Sequence, residues 1–323
     1  KSIMYLISNF VKPKNIYFYL LALILCMATL IGCSNDDVAS KNKADFSDRG
    51  YKSTEHLVSA DWLNEKLDGD KLIIIDVRSE EDYVASHIPG AIHINPKTAF
   101  QQEDNRGVAG MLPPKEHVES VLSSIGATAD SEIIIYDGIK SLWASRGLWA
   151  LEVYGHDKTA LLDGAWTSWE NKGFPTSKEI PTVVGTDYKF KGDPNTNLIA
   201  GYEEVLASIE DTEKIVCDTR SPEEYAGRDV RAERGGHIEG SKNVNWVSNA
   251  NADGEFLSYA ELDKIYSDAG FKRDQTIFTL CQTAVRATHT WFVLSELLGY
   301  ENVKVYDGSW IEWGNRSDLP IQN

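Results

Sequence analysis

The segment Thr276–Thr288 places a thiol at the end of an apolar run, with an arginine five positions further on. Thr276-Ile277-Phe278-Thr279-Leu280 reads as a buried strand, Cys281 opens the next loop, and a helix begins within a few residues. Successive backbone N–H groups in such a turn can converge into an anion cradle, and the helix N-terminus adds partial positive charge. Both effects favour thiolate over thiol and so arm Cys281 as a nucleophile. Arg286 offers a planar donor fork suited to an oxyanion. Together with the loop residues Gln282, Thr283, Ala284 and Val285, it suits an anion such as thiosulfate. Cys281 would attack the outer sulfur, sulfite would leave, and the cysteine would keep a persulfide. A thiol or cyanide would then remove that sulfur in a ping-pong cycle.

Cys-x4-Arg alone is a weak pattern, because a cysteine at the end of a buried strand is more often a small core residue. Cys217 provides the comparison. It lies within Ile215-Val216-Cys217-Asp218, with no loop or arginine positioned as at Cys281, and reads as core packing. Asp218 is expected to pair locally with Arg220.

The elements that must position this chemistry occur twice. Leu72-Ile73-Ile74-Ile75-Asp76-Val77-Arg78 is echoed by Lys214-Ile215-Val216-Cys217-Asp218-Thr219-Arg220, and His87-Ile88-Pro89-Gly90 by His237-Ile238-Glu239-Gly240. Asp163-Gly164-Ala165-Trp166 is echoed by Asp307-Gly308-Ser309-Trp310, and from Ile133 onward the halves align without a gap at an offset of 144. Two copies of one domain explain this self-similarity. Strands are expected at Leu72–Ile75, Glu132–Tyr136 and Ala160–Leu162, then at Ile215–Cys217, Thr276–Leu280 and Val303–Tyr306. Helices between them include Trp143–Val153 and Ala287–Leu298. The alternation implies an α/β fold, a parallel sheet in each copy flanked by helices, with ligands at the carboxyl ends of strands. The expected boundaries are a leader at 1–32, a flexible tether at 33–50, a first domain at 51–176, a linker at 177–197 and a second domain at 198–323.

The formal net charge is −17, and residues 1–32 contribute three lysines and no acid, leaving 29 basic against 49 acidic side chains. Such a surface repels phosphate backbones, which argues against nucleic-acid binding. Lys12 and Lys14 precede the apolar run Ile16–Ile31, and Leu30-Ile31-Gly32-Cys33 follows the pattern of a secretory signal ending at a small residue. The tetrad resembles the lipobox of bacterial lipoproteins, which implies lipidation of Cys33 and a membrane anchor in the cell envelope. Ser34 after the cysteine favours the outer membrane, facing the periplasm. Cys217 and Cys281 then remain as the only thiols beyond Cys33, so no disulfide scaffold is expected.

The combined motifs resemble the tandem-domain rhodanese family, which includes thiosulfate and mercaptopyruvate sulfurtransferases. Asp76-Val77-Arg78, Tyr83 and His87-Ile88-Pro89-Gly90-Ala91 match its N-terminal signature, and Asp307-Gly308-Ser309-Trp310-Ile311-Glu312-Trp313 its C-terminal one. The resemblance, spanning about Glu55 to Leu319, implies two rhodanese-like domains and a persulfide on Cys281. It further implies an inactive first domain, since Asp137 aligns with Cys281, and a site at the domain interface. The expected partners are a small sulfur donor and a thiol acceptor; no metal or cofactor is expected, and the chain is expected to be a monomer. The loop Cys-Gln-Thr-Ala-Val-Arg is closer to bacterial rhodaneses than to mercaptopyruvate enzymes, which leans toward thiosulfate. Where many members carry a substrate-holding arginine before the aromatic equivalent to Tyr225, this chain has Glu224, and Arg234 is the expected replacement cation.

Other features have plainer readings. His87 and His237 are expected to fix turns by hydrogen bonding, His289 to be a solvated helix residue, and Trp310 and Trp313 to pack. The rival readings are a 3-mercaptopyruvate sulfurtransferase, a phosphatase, which in a similar fold uses Cys-x5-Arg, and a module that holds a persulfide without turnover.

Overall fold

A computed structural model describes residues 46–323. Two five-stranded sheets, both parallel, carry the chain. The first contains β1 (Leu57–Val58), β2 (Leu72–Asp76), β3 (Ile92–His93), β4 (Glu132–Tyr136) and β5 (Thr159–Leu162), in the order β1-β5-β4-β2-β3. The second contains β6 (Ile199–Ala200), β7 (Lys214–Asp218), β8 (Lys242–Asn243), β9 (Thr276–Leu280) and β10 (Val303–Tyr306), in the equivalent order β6-β10-β9-β7-β8.

The central strands are the Ile/Val-rich runs of the sequence because helices cover both faces, so both sides of each strand must be apolar. Ile133, Ile134 and Ile135 are fully buried, as are Ile277, Phe278 and Leu280. The sequence reading omits β1, β3, β6 and β8. Each has two residues, too few to show a periodicity.

In each sheet the strand order reverses between the second and fourth strands, which opens a crevice beyond their carboxyl ends. In the second sheet those strands are β7 and β9, paired from Lys214↔Thr276 to Asp218↔Leu280. Cys281 follows β9 directly and so lies at this point.

The two domains meet through related parts. The helix Leu142–Tyr154 packs against the helix Val285–Phe292. Asp307 accepts the Leu112 amide at 2.7 Å, and its counterpart Asp163 accepts the Phe256 amide at 2.9 Å. Each aspartate, from one domain's Asp-Gly turn, thus holds an irregular segment of the other. Arg146, fully buried, reinforces one side with a 2.7 Å ion pair to Asp307.

Two segments differ from expectation. Part of the tether is bound: Phe46 is buried, and Arg49 pairs with Glu255 at 3.0 Å while its carbonyl accepts the Tyr259 amide. The linker region packs on the first domain through the buried Tyr188 and Phe190 and a Ser177–His87 backbone bridge. Cys33 and the apolar leader lie outside the described residues. Among the described residues, no helix is long and apolar enough to cross a membrane.

Candidate active site

Cys281 is 1% exposed and borders the apolar cluster that contains Ala284, Ala287 and Trp291. The loop that follows it is polar in its backbone. The amides of Cys281 and Ala284 donate to the Ser309 hydroxyl oxygen at 3.2 and 3.1 Å, and that hydroxyl donates to the Tyr306 carbonyl at 2.9 Å. The amides of Gln282, Thr283, Val285 and Arg286 find no oxygen acceptor among the described residues. Helix-start amides without an intrahelical partner are the groups that anions commonly engage. The turn is tight enough to force Ala284 to a φ of 59° and Ser309 to 49°, both in the left-handed region.

The carbonyl side of the loop is also held. The Trp310 and Ile311 amides donate to the Cys281 and Gln282 carbonyls at 2.9 and 3.0 Å. From the first domain, the Gln101 side chain donates to the Thr283 carbonyl at 2.9 Å. Gly110 lies so close that a Cβ there would come within 2.8 Å of the Thr283 Cβ. The loop is therefore walled by the first domain.

Arg286 extends from the first turn of the helix Val285–Phe292 that follows the Cys281 loop, close enough for the two groups to be coupled electrostatically. It also forms a bidentate pair with Glu224, at 2.6 and 2.9 Å. Burial opposes charge on Glu224, but the Arg286 guanidinium, the Ser221 amide and Arg231 outweigh it and hold the carboxyl down at about 2. Arg231, half exposed, lies 3.5 Å from the same carboxylate and pairs with Asp229 at 2.6 Å. Gln282 donates to the Arg231 carbonyl at 2.9 Å, which ties the catalytic loop to this segment.

The structure brings Cys281, Gln282, Thr283, Ala284, Val285 and Arg286 into one turn, but it places Arg234 elsewhere. The Arg234 guanidinium donates to the carbonyls of Gly314, Leu319, Trp313 and Arg316, so its hydrogen-bonding capacity is spent on fastening the C-terminal segment. Arg231 is the cation of that segment that reaches the Arg286 group. His289 also departs from expectation: it is fully buried between Trp246 and Phe256, and burial pushes its imidazole down to about 3. Ser309 and Gln101 went unrecognised as loop-holding residues. Ser309 was visible only as part of a motif, and Gln101 carried no local signal.

Cys217 is fully buried in β7, where desolvation, and then Asp218, push its thiol well up. Asp218 pairs with Arg220, which lies 4.1 Å over the Trp310 ring. His87 and His237 each hydrogen-bond a tyrosine carbonyl through Nδ1, at 2.7 and 2.9 Å. Among the described residues no cluster of three or more His, Cys, Asp or Glu side chains could hold a metal ion.

The first domain carries the same turn with different contents. Asp137 stands at the position of Cys281 and accepts the amides of Ile139, Ser141, Trp143 and Ala144 at 2.7–3.1 Å. Its counterpart of Ser309 is Ala165, at a φ of 51° but without a hydroxyl. Trp166 donates its amide to the Asp137 carbonyl as Trp310 does to that of Cys281, both at 2.9 Å.

The family model described as "Rhodanese-like domain" matches residues 59–172 and 202–316. A Haloferax volcanii protein named "Putative thiosulfate sulfurtransferase" is 37% identical over 286 residues, 82% of this chain and 96% of that one. A Saccharopolyspora erythraea protein of the same name is 37% identical over 278 residues, 83% of this chain and 96% of that one. "Sulfur carrier protein TtuD" of Thermus thermophilus is 33% identical over 287 residues, 84% and 98% respectively. Among solved structures, an anaerobic ergothioneine biosynthesis enzyme from Chlorobium limicola superposes with a TM-score of 0.75 at 22% identity, covering 84% of this chain and 71% of that chain. That last likeness concerns the fold alone.

Proposed function

This chain belongs to the rhodanese family, and on that premise we propose that it is a sulfurtransferase. It moves a sulfane sulfur from thiosulfate or a related donor, through a persulfide on Cys281, to a thiophilic acceptor such as cyanide or a thiol. The observation that carries this reading is the turn after β9. There Cys281 and Arg286 share one strand-to-helix turn, beside loop amides that have no oxygen acceptor among the described residues. The relatives named as thiosulfate sulfurtransferases support the donor class.

In the first half-reaction the Cys281 thiolate attacks the outer sulfur of thiosulfate. The donor S–S bond breaks, sulfite leaves with the electron pair, and the enzyme keeps Cys–S–S⁻. The free amides and Arg286 would stabilise that negative charge without reorganising. An acceptor then takes the outer sulfur and restores the thiolate.

Cyanolysis tests this. Thiosulfate-loaded protein should yield thiocyanate on addition of cyanide, and Cys281→Ser should yield none. Phosphate-ester hydrolysis without thiocyanate would overturn the reading in favour of a phosphatase. A second reading, a persulfide carrier with little turnover, is favoured by the near-complete burial of Cys281 and by the name of the Thermus relative. A stable persulfide, found by intact mass and released only slowly by cyanide or thiols, would select it. Mercaptopyruvate as the donor would show as faster sulfur loading than from thiosulfate in the same mass measurement.

The proposed location is the bacterial cell envelope, with a lipid anchor on Cys33. Metabolic labelling with a palmitate analogue should mark the full chain and not Cys33→Ala; equal labelling of the two would refute it.

A further inference from the structure

Beside Cys281 lies a closed set of charges. Glu224, 1% exposed, spans both terminal nitrogens of Arg286, at 2.6 and 2.9 Å. Arg231 approaches the same carboxylate at 3.5 Å and is paired in turn with Asp229. Two acids thus face two arginines, so the group presents no formal excess of positive charge to a donor. Glu224 is fixed from its own side as well, because it completes a capping box with Ser221 and accepts that residue's amide at 3.1 Å. Gln282 secures the same segment to the catalytic loop through the Arg231 carbonyl.

A doubly charged donor approaching the Cys281 thiolate meets twice the repulsion that a singly charged one does, and an unmatched cation would offset the difference more strongly than the loop amides do. Here the nearest cation is already matched. We propose that Glu224 sets donor selectivity. By occupying Arg286 it disfavours inorganic dianions and favours singly charged sulfane-sulfur donors, namely organic thiosulfonates or hydropersulfide anions. The inference rests on the sulfur-transfer reading above and reorders its donors, placing singly charged ones ahead of thiosulfate.

With a thiosulfonate, R–SO2–S⁻, the Cys281 thiolate attacks the outer sulfur. The new Cys S–S bond forms as the donor S–S bond breaks, and the sulfinate RSO2⁻ leaves with the bonding pair. Cys281 keeps –S–S⁻. Two negative charges enter and two remain, with no proton transfer and no external oxidant or reductant. Glu224 touches none of the reacting atoms and acts through Arg286, so it is a positioning residue.

The test measures the rate constant for sulfur loading of the full chain by quenched mixing and intact mass. The probes are thiosulfate and benzenethiosulfonate, which share a sulfonyl-bound sulfane sulfur and differ by one charge. Glu224→Gln keeps the size of the side chain and an acceptor for the Ser221 amide. It should raise the thiosulfate-to-thiosulfonate rate ratio by about tenfold, as expected for one charge removed a few ångströms from the donor. Arg231→Ala, at a half-exposed position, should move the ratio the other way by about threefold, because it removes a screened positive charge. If Glu224→Gln does not fold, Arg231→Ala decides alone. Ratios within about twofold of the wild type in every folded variant overturn the inference while leaving sulfur transfer intact. Loading of the wild type by neither donor overturns both.

Discussion

Ser309 offers the sharpest test of how the catalytic turn is held. Among the described residues its hydroxyl is the sole acceptor for the Cys281 and Ala284 amides, and its residue is fully buried. Ser309→Ala removes that acceptor from both amides and the hydroxyl donor from the Tyr306 carbonyl. Each buried N–H left unmatched costs about 1–3 kcal/mol. Some relaxation toward other acceptors is expected, so the loss of unfolding free energy should be about 2–4 kcal/mol. The denaturant slope should stay constant, since the area exposed on unfolding is the same. Function should suffer separately. The bond ties the Ala284 amide into the turn, and its loss lets the amides around Cys281 re-aim. A displacement of the order of an ångström slows sulfur loading by about 10- to 100-fold. Urea denaturation and the quenched loading assay give the two numbers. A stability within about 0.5 kcal/mol of the wild type, with loading within twofold, would show that Ser309 is not what shapes the turn.

Arg286→Ala should raise the thiosulfate KM and slow loading by about tenfold or more, because it strips Glu224 of its cation and leaves that carboxylate facing the donor in both ground and transition states; unchanged kinetics would remove Arg286 from the site. Arg146→Met leaves Asp307 buried without its cation and should cost about 3–5 kcal/mol in urea denaturation. The double variant with Asp307→Asn should recover part of that, and full additivity would deny the pairing. Glu224 also predicts an acid response. Its folded-state value of about 2 lies below the usual 4.5, so the unfolded chain binds the proton more readily. Its contribution is therefore full above pH 4.5 and falls away as pH drops toward 2. The urea midpoint should fall less between pH 6 and pH 3.5 in Glu224→Gln than in the wild type, and equal falls would refute the assignment.

The architecture was largely legible because its signals are local and repeated. Ile133–Ile135 and Ile277–Leu280 show their burial in their composition, and the common offset of 144 shows the duplication. What was not legible depends on distance in space. Arg234 and Arg231 are equally plausible cations in the sequence; only the placement of the C-terminal carbonyls shows that Arg234 is consumed by them. His289 reads as a surface residue until Trp246 and Phe256, distant in sequence, close over it. Gln101 reaches Thr283 across 182 positions, which no pattern along the chain discloses. The Phe46–Arg49 segment looked like tether because its polar composition hides one buried aromatic side chain and one backbone contact.

The two copies of the turn explain one another. In the first domain the chain supplies its own anion: the Asp137 carboxylate fills the cradle with four amide bonds. Desolvation nonetheless pushes that carboxyl up, against the pull of the Ala144, Ile139, Trp143 and Ser141 amides. In the second domain the substituent at that position is a thiol, and Ser309, which is Ala165 in the first copy, accepts a different pair of amides, those of Cys281 and Ala284. The amides of Thr283 and Val285, counterparts of the Ile139 and Ser141 amides on Asp137, lose their side-chain acceptor in the exchange. A cysteine cannot accept them as a carboxylate does, and Ser309 holds the turn through the Cys281 and Ala284 amides instead. The remaining amides stay open for a charge that arrives with the donor and stays as the persulfide. The backbone of the turn is thus common property of both domains, and two side chains, at 281 and 309, separate a structural anion site from a site for a transferred one.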